Sequence, residues 1–356
     1  MSLMPVEWRY VGVASISSNG TVDTIMNAIY TLATSSTYQD GSSRSNGTGS
    51  AGTWDRYQNA GTTEALHVTP NAGSAKILIA GSSTTPSPSP TMASPDTYTT
   101  NTLMMNITKN AGAFSSWNNS NPFTSGSTFG YWKILGSRAA ANSGLTTFTG
   151  NIHLYESKES VAVFFISTGV STAASYSNGG IAGALWDPES SHSSDAETDG
   201  NLYGMITSGH STAYGVPWNT YGIWGIDHFN GTAVGSAFYN NAARGFIHGH
   251  ASSSSNAHCG LFAPGTSTIK YSNLVMTPNQ SNGSSSLRTP SGRYVKIPMV
   301  YKYQDSNEMV GKLRGISFVN RGLIGQRHVN NGSVIGYTVG CSDWAANPGD
   351  CMLLEY

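Results

Sequence analysis

The sequence predicts a mainly β chain: an antiparallel sandwich or barrel-like domain with a small α-containing N-terminal region. Three observations lead there. From residue 130 onward, short apolar runs recur about every ten residues, each punctuated by Gly, Asn or Ser, which is the spacing of short antiparallel strands. Ser, Thr, Asn and Gly supply 155 of the 356 residues, while only 18 Lys+Arg and 19 Asp+Glu are present. Ala-, Leu-, Glu- and Lys-rich helices need what this chain lacks, and its Thr, Val, Tyr, Trp and Ile suit a pleated, half-buried surface. Finally, 38% hydrophobic content with eight Trp is ample material for a core, which excludes a disordered chain. Length favours one large domain or two ordinary ones, and texture divides the chain into an N-terminal α+β region (1–130) and a β-rich domain (131–356).

The first clear element is a helix. Asn19 or Thr21 can cap it, Asp23 sits in its first turn, and Val22, Ile25, Met26, Ile29 and Leu32 recur at spacings of three and four. It ends near Ala33, where Thr34-Ser35-Ser36-Thr37 takes over. Residues 40–53, almost all Gly, Ser, Asn and Thr, read as an exposed loop. The stretch from Trp54 to Thr69 is amphiphilic and pairs with the short apolar strand Ala75–Ala80. Four prolines between Ser82 and Pro95 forbid a central strand and mark an extended linker. A second helix is expected over Tyr98–Gly112, with Leu103, Met104 and Ile107 on one side.

Within the β-rich part, Val161-Ala-Val-Phe-Phe-Ile166 is continuous and apolar, so it reads as a central strand buried on both faces. Pro298 assigns Tyr294–Tyr301 to an edge or to a bulge, because proline cannot donate to a ladder. Further strands are expected at Gly311–Val319, Val334–Val339 and Met352–Tyr356.

Composition also excludes function classes. With a net charge of −1 and no basic run, the counterion release that drives nucleic-acid binding is missing. No stretch reaches the ~18 apolar residues of a spanning helix. Three cysteines (Cys259, Cys341, Cys351) are not a disulfide framework. Met1 to Trp8 holds no basic segment followed by an apolar core, so no secretory signal is expected. A surface wetted by hydroxyls and amides has weak self-repulsion, and is expected to be covered by copies of itself or by partners.

Candidate chemistry is sparse. His248 and His250 stand two apart and would share one face of a strand, and His258 with Cys259 could complete a tetrahedral zinc site. The commoner use of His-Gly-His in a turn-rich chain is a polar strand edge. Asp195, Glu197 and Asp199, followed by Gly200, resemble the first half of a calcium loop, but the twelfth position is Ile206 rather than Glu; the plain reading is a solvated acidic loop. No cofactor or metal is therefore expected. Gly209-His-Ser211-Thr-Ala213 nearly fits a nucleophile elbow, yet Tyr214-Gly-Val-Pro-Trp218 cannot form the helix an elbow requires. Glu156, Glu159, Asp187 and Asp227 lie near predicted strand ends, and nothing singles out a catalytic pair. Trp117, Trp132, Trp186, Trp218, Trp224 and Trp344 could stack sugars if exposed, although core and interface packing is the commoner use.

The C-terminal third carries a resemblance. Val310-Gly-Lys-Leu-Arg-Gly-Ile316, Ile335-Gly-Tyr-Thr-Val-Gly340 and Cys351-Met-Leu-Leu-Glu-Tyr356, with Asp350 in the preceding turn, resemble the closing segment of tailed-bacteriophage virion structural proteins. Trp8-Arg-Tyr-Val-Gly-Val, Gly41-Ser-Ser-Arg44 and Trp54-Asp-Arg-Tyr57 are similar in style to proteins encoded beside phage head and tail genes. The likeness covers about a third of the chain. It implies a non-enzymatic building block of a head, neck or tail, made in the host cytoplasm and carried in the virion. Its partners would be copies of itself and other virion proteins. Beside this reading stand two alternatives from the residues above: a glycan-binding or receptor-binding module of the particle surface, with a host surface glycan as partner, and a hydrolase. No functional residue is carried over.

Overall fold

The computed structural model describes residues 7–44, 53–59, 63–69, 76–83, 101–108, 132–135, 147–157, 160–167, 177–184, 186–188, 203–208, 220–225, 245–248, 261–262, 296–302, 309–319, 327–330, 333–339 and 351–356. Strand β1 (Arg9–Gly20) leads into helix α1 (Val22–Ala33), followed by β2 (Thr53–Asn59), β3 (Thr63–Thr69), β4 (Lys76–Ser82), β5 (Thr102–Thr108) and β6 (Trp132–Leu135). Next come β7 (Phe148–Glu156), β8 (Ser160–Ser167), β9 (Ser177–Ala184), β10 (Trp186–Pro188), β11 (Tyr203–Ser208), β12 (Thr220–Gly225), β13 (Gly245–His248) and β14 (Leu261–Phe262). The chain finishes with β15 (Lys296–Lys302), β16 (Met309–Val319), β17 (Arg327–Asn330), β18 (Ser333–Val339) and β19 (Cys351–Glu355). The described residues are thus mainly antiparallel β with one helix.

Three sheets form. An eight-stranded sheet runs β1-β7-β8-β9-β11-β12-β13-β14, a five-stranded meander runs β2-β3-β4-β5-β6, and a six-stranded sheet runs β10-β16-β19-β18-β17 with β15 also on β16. The helix forms where its periodicity predicts. Of the two candidate caps, Thr21 is the one that accepts from the Thr24 N–H. Asn19 lies in the irregular end of β1, where the register with β7 shifts between Ile16 and Gly20, at φ 44°, a left-handed position that asparagine tolerates.

The predicted central strand is central. β8 lies between β7 and β9, and Val161, Ala162, Val163, Phe164 and Phe165 are all buried. Its alternation divides two environments. Val161, Val163 and Phe165 join Ile152 and Leu154 of β7 in a core with Ile25, Met26 and Ile29 of α1 and with Ile77, Ile79, Leu103, Met105 and Ile134 of the five-stranded sheet. Phe164, on the opposite face, meets Tyr155 edge-on, and Tyr155 in turn meets Tyr337 of β18. Residues before and after position 130 both build the core. Gly180 on β9 allows the close approach: a Cβ there would lie 2.8 Å from Ile134 Cγ2 and 2.9 Å from Met105 Sδ.

The helix expected over Tyr98–Gly112 is corrected within its described part. Residues 102–108 are the strand β5, hydrogen-bonded to β4 and β6, with Leu103, Met104 and Met105 all buried. Three consecutive apolar residues fit a strand covered on both faces as well as one side of a helix, and the flanking strands decide between them. Strands β2 and β3 pair antiparallel within the stretch from Trp54 to Thr69, and β3 pairs with β4 as expected. Pro298 lies in β15, which pairs with β16 alone among the described strands, and the register slips between Pro298 and Val300. The linker over residues 84–95 lies outside the described residues.

Candidate functional site

The polar and aromatic side chains of the described residues concentrate where β1, the segment following α1, and the β18–β19 pair meet. Helix α1 ends at Thr34, whose hydroxyl donates back to the Tyr30 carbonyl at 2.8 Å. The chain then turns on itself: the Tyr38 N–H donates to the Ser42 carbonyl, that of Gly41 (φ 81°) to Tyr38, and that of Gln39 to the Tyr10 carbonyl of β1. This turn delivers Arg44 to Glu156 at the end of β7.

The Arg44–Glu156 pair is buried, with side-chain exposures of 5% and 0%. Nε donates to Oε1 and Nη2 to Oε2, both at 2.6 Å, a two-pronged fit of guanidinium to carboxylate. Nη1 donates to the Ala33 carbonyl and, at 2.8 Å, to the Ser35 carbonyl. Arg44 therefore also caps the C-terminal end of α1, where unsatisfied carbonyls favour a cation and where the last turn has no basic residue of its own. The exposed loop expected over residues 40–53 is corrected at this point: Asp40, Gly41 and Ser43 are exposed, but the Arg44 side chain is not.

Arg9, at the start of β1, is held from two sides. Its guanidinium lies 4.3 Å from the Tyr38 ring centre and 5.2 Å from that of Tyr356. Nη2 donates to Ser42 Oγ at 2.5 Å and Asp40 Oδ2 at 3.3 Å. Hydrogen bonds from the Ser42 hydroxyl and backbone N–H hold the Asp40 carboxyl below its ordinary value, and Arg9 and Arg327 add to this against a small burial cost. Burial pushes the Tyr38 hydroxyl well above the usual tyrosine range, and the nearby Glu156 charge pushes it further, opposed by Arg9 and Arg44.

A β-bulge builds the rest. Between Tyr10 and Gly12 the β1–β7 register slips by one residue, so Tyr10 pairs with Tyr155 while Val13 pairs with His153. Without the extra residue, Tyr10 would point with Gly12 and Ala14 toward the core; with it, Tyr10 joins the face of His153 and Tyr155. The Tyr10 hydroxyl is 2.7 Å from His153 Nδ1, and its ring stacks on Tyr155 at 4.6 Å. Tyr337 closes on both tyrosines at 5.8 Å. Beside them Trp8 is fully buried, and its backbone N–H donates to the Glu355 backbone carbonyl at 2.7 Å. Burial lowers His153 to about 4 and raises Tyr10, Tyr155 and Tyr337. At neutral pH this is a cluster of neutral rings beside compensated ion pairs, an arrangement suited to holding two sheets together.

Of the residues singled out from sequence, His248 closes β13 opposite Thr220. His250, His258 and Cys259 lie outside the described residues, as do Asp195, Glu197, Asp199, Ser211, Glu159 and Asp227. Among the described residues no group of three or more His, Cys, Asp or Glu comes together. Glu156 is taken up by Arg44, and Asp187 of β10 pairs in register with Lys312. Trp132, Trp186 and Trp224 fall on β6, β10 and β12, while Trp117, Trp218, Trp344 and Cys341 lie outside the described residues. Sequence reasoning missed Arg9, Arg44, Tyr10, His153 and Tyr337 as a group. One signal was available, a lone arginine in a run of Gly and Ser, since a charge isolated in such a run has a partner elsewhere in the fold. Compared with protein-family models, curated proteins and solved structures, the chain matches none.

Proposed function

We propose that this chain is a non-enzymatic structural subunit of a phage virion, in a tail, neck or capsid-associated position, assembling on copies of itself and on other virion proteins. The observation that carries the proposal is the scarcity of ionic side chains, 10% of residues, on an antiparallel β fold. Free soluble domains keep apart by charge; a protein with this little charge is suited to a surface covered by its neighbours. The exposed residues of β1 are in keeping with this, since Val13, Ser15, Ser17, Ser18 and Asn19 are all uncharged. On this proposal the eight-stranded sheet and its two neighbours form a layered sandwich. Its ion pairs serve to lock strands, and the particle is the protein's working location.

Two measurements test the proposal. Sedimentation of the pure protein is expected to reveal self-association that grows with concentration, and mass spectrometry of purified virions is expected to find the chain at a fixed copy number. A monomer at all concentrations that is absent from the particle would end the proposal.

A further inference from the structure

The geometry points to an acid-operated seam: protonation of His153 uncouples the β18–β19 layer from the β1–β7 edge while the core beneath stays folded. Two features combine to make such a device. First, His153 is 8% exposed, and its described polar contact is the Tyr10 hydroxyl. With the imidazole neutral, Tyr10 O–H can donate to Nδ1. In the imidazolium Nδ1 carries its own proton, so the hydroxyl turns to accept from it, and the new charge stays buried among aromatic rings with no carboxylate beside it among the described residues.

Among the described residues, the groups facing this site offer that charge no anion. From β1 come Tyr10 and Val13, from β8 Phe164, from β7 Tyr155, and from β18 Tyr337, which touches both tyrosines. The described charges nearby are already engaged. Glu156 has both oxygens on Arg44, Asp40 is held by Ser42 and Arg9, and Glu355 of β19 accepts from the Ser317 hydroxyl, while Arg9 and Arg327 are cations.

Second, the rings joining the two layers are separate from the main core. Tyr10, His153, Tyr155, Tyr337 and Trp8 all stand outside the cluster that unites α1, β4, β5, β6 and the inner face of β7–β9. Loss of the seam therefore costs the β18–β19 contacts first, as a local opening below the global one. A buried imidazole whose neutral form is tied to a packing contact is a general way to couple acidification to an interface.

Hydrogen exchange of the full chain, followed by mass spectrometry from pH 7 down to 4 and corrected for intrinsic rates, tests this. Peptides covering 334–356 are expected to lose protection between about pH 6 and 4, while those covering 150–156, α1 and β4 keep theirs. His153→Gln, which keeps a hydrogen-bonding group but cannot take up a proton, is expected to hold the seam closed over the same range. Tyr10→Phe removes the described hydrogen bond of the closed seam and should raise the opening midpoint by about half to one pH unit. Simultaneous loss of seam and core in the wild type, a seam still protected at pH 4, or a Tyr10→Phe midpoint that does not move would each overturn the inference. So would opening of a folded His153→Gln variant at the wild-type pH.

Discussion

Arg44 and Glu156 make the most demanding test of how this fold is held, because one guanidinium serves three elements at once. It pairs with the last residue of β7, caps α1 through the Ala33 and Ser35 carbonyls, and ends the turn that carries Tyr38 to Arg9. Glu156→Gln keeps the shape and removes the charge, leaving a buried guanidinium against a neutral amide. Removing one partner of a buried pair costs about 3–5 kcal/mol. Arg44→Met should cost more, because two helix-end carbonyls also lose a charged donor, at about 1.5–3 kcal/mol for each such bond. The double variant Arg44→Met/Glu156→Leu should recover part of the loss, since no uncompensated charge stays buried. Urea unfolding is the assay, with the slope m checked for constancy so that midpoint shifts report stability. Single-variant costs within about 0.5 kcal/mol of zero, the size of an exposed pair, would refute the reasoning. So would strictly additive behaviour in the double variant.

Gly180→Val should destabilise by about 1–3 kcal/mol through overpacking against Ile134 and Met105, read as a lower urea midpoint; a neutral result would mean that the five-stranded sheet can recede. Thr21→Ala removes the helix cap and should cost about 1 kcal/mol, with thermal unfolding as the measurement. Acid should weaken the folded state through His153, which takes up its proton near pH 6.5 when unfolded but only at about 4 when folded. Between those values the unfolded chain binds more protons, so stability is full above about 6.5, falls as pH falls, and has lost about 3 kcal/mol below about 4. Asp40, held below its ordinary value, adds a loss of the same sign at lower pH still. Unfolding curves across this range check the sign, and a His153→Gln variant with the same slope would contradict it.

The parts of the fold legible in the sequence were those whose pattern is local. α1 announces itself by spacing and a capping threonine, and β8 by six unbroken apolar residues. β5 was misread because three adjacent apolar residues carry no period; its identity is decided by β4 and β6 on either side. β1 was passed over because its small residues, Gly12, Ala14, Ser15, Ser17 and Ser18, give almost no hydrophobic alternation, and its pairing partner lies about 140 residues away. The site shares that difficulty. Arg44 and Glu156 are separated by 112 residues, Tyr10 and His153 by 143, and a one-residue bulge decides which face Tyr10 occupies. No spacing rule reaches across such distances, so the hydroxyl–imidazole contact could not be read from the sequence.

Scarcity of charge also changes what each remaining charge does. In an ordinary domain most arginines lie on the surface and contribute little individually. Here Arg9 and Arg44, two of 18 basic residues, sit at one seam, and each is wrapped by the turn after α1. Concentrating ionic contacts at an inner junction leaves the exposed side chains of β1, Val13, Ser15, Ser17, Ser18 and Asn19, uncharged, and on the proposed function such an edge would meet its own copies without like-charge repulsion. The same economy leaves His153, among the described residues, without an anion to accept its charge. If a carboxylate were placed there, for example by Val13→Glu opposite His153 in register, the imidazolium would gain a partner and seam opening should move to lower pH or vanish. A variant that keeps the wild-type midpoint would show that opening is driven by groups other than this histidine.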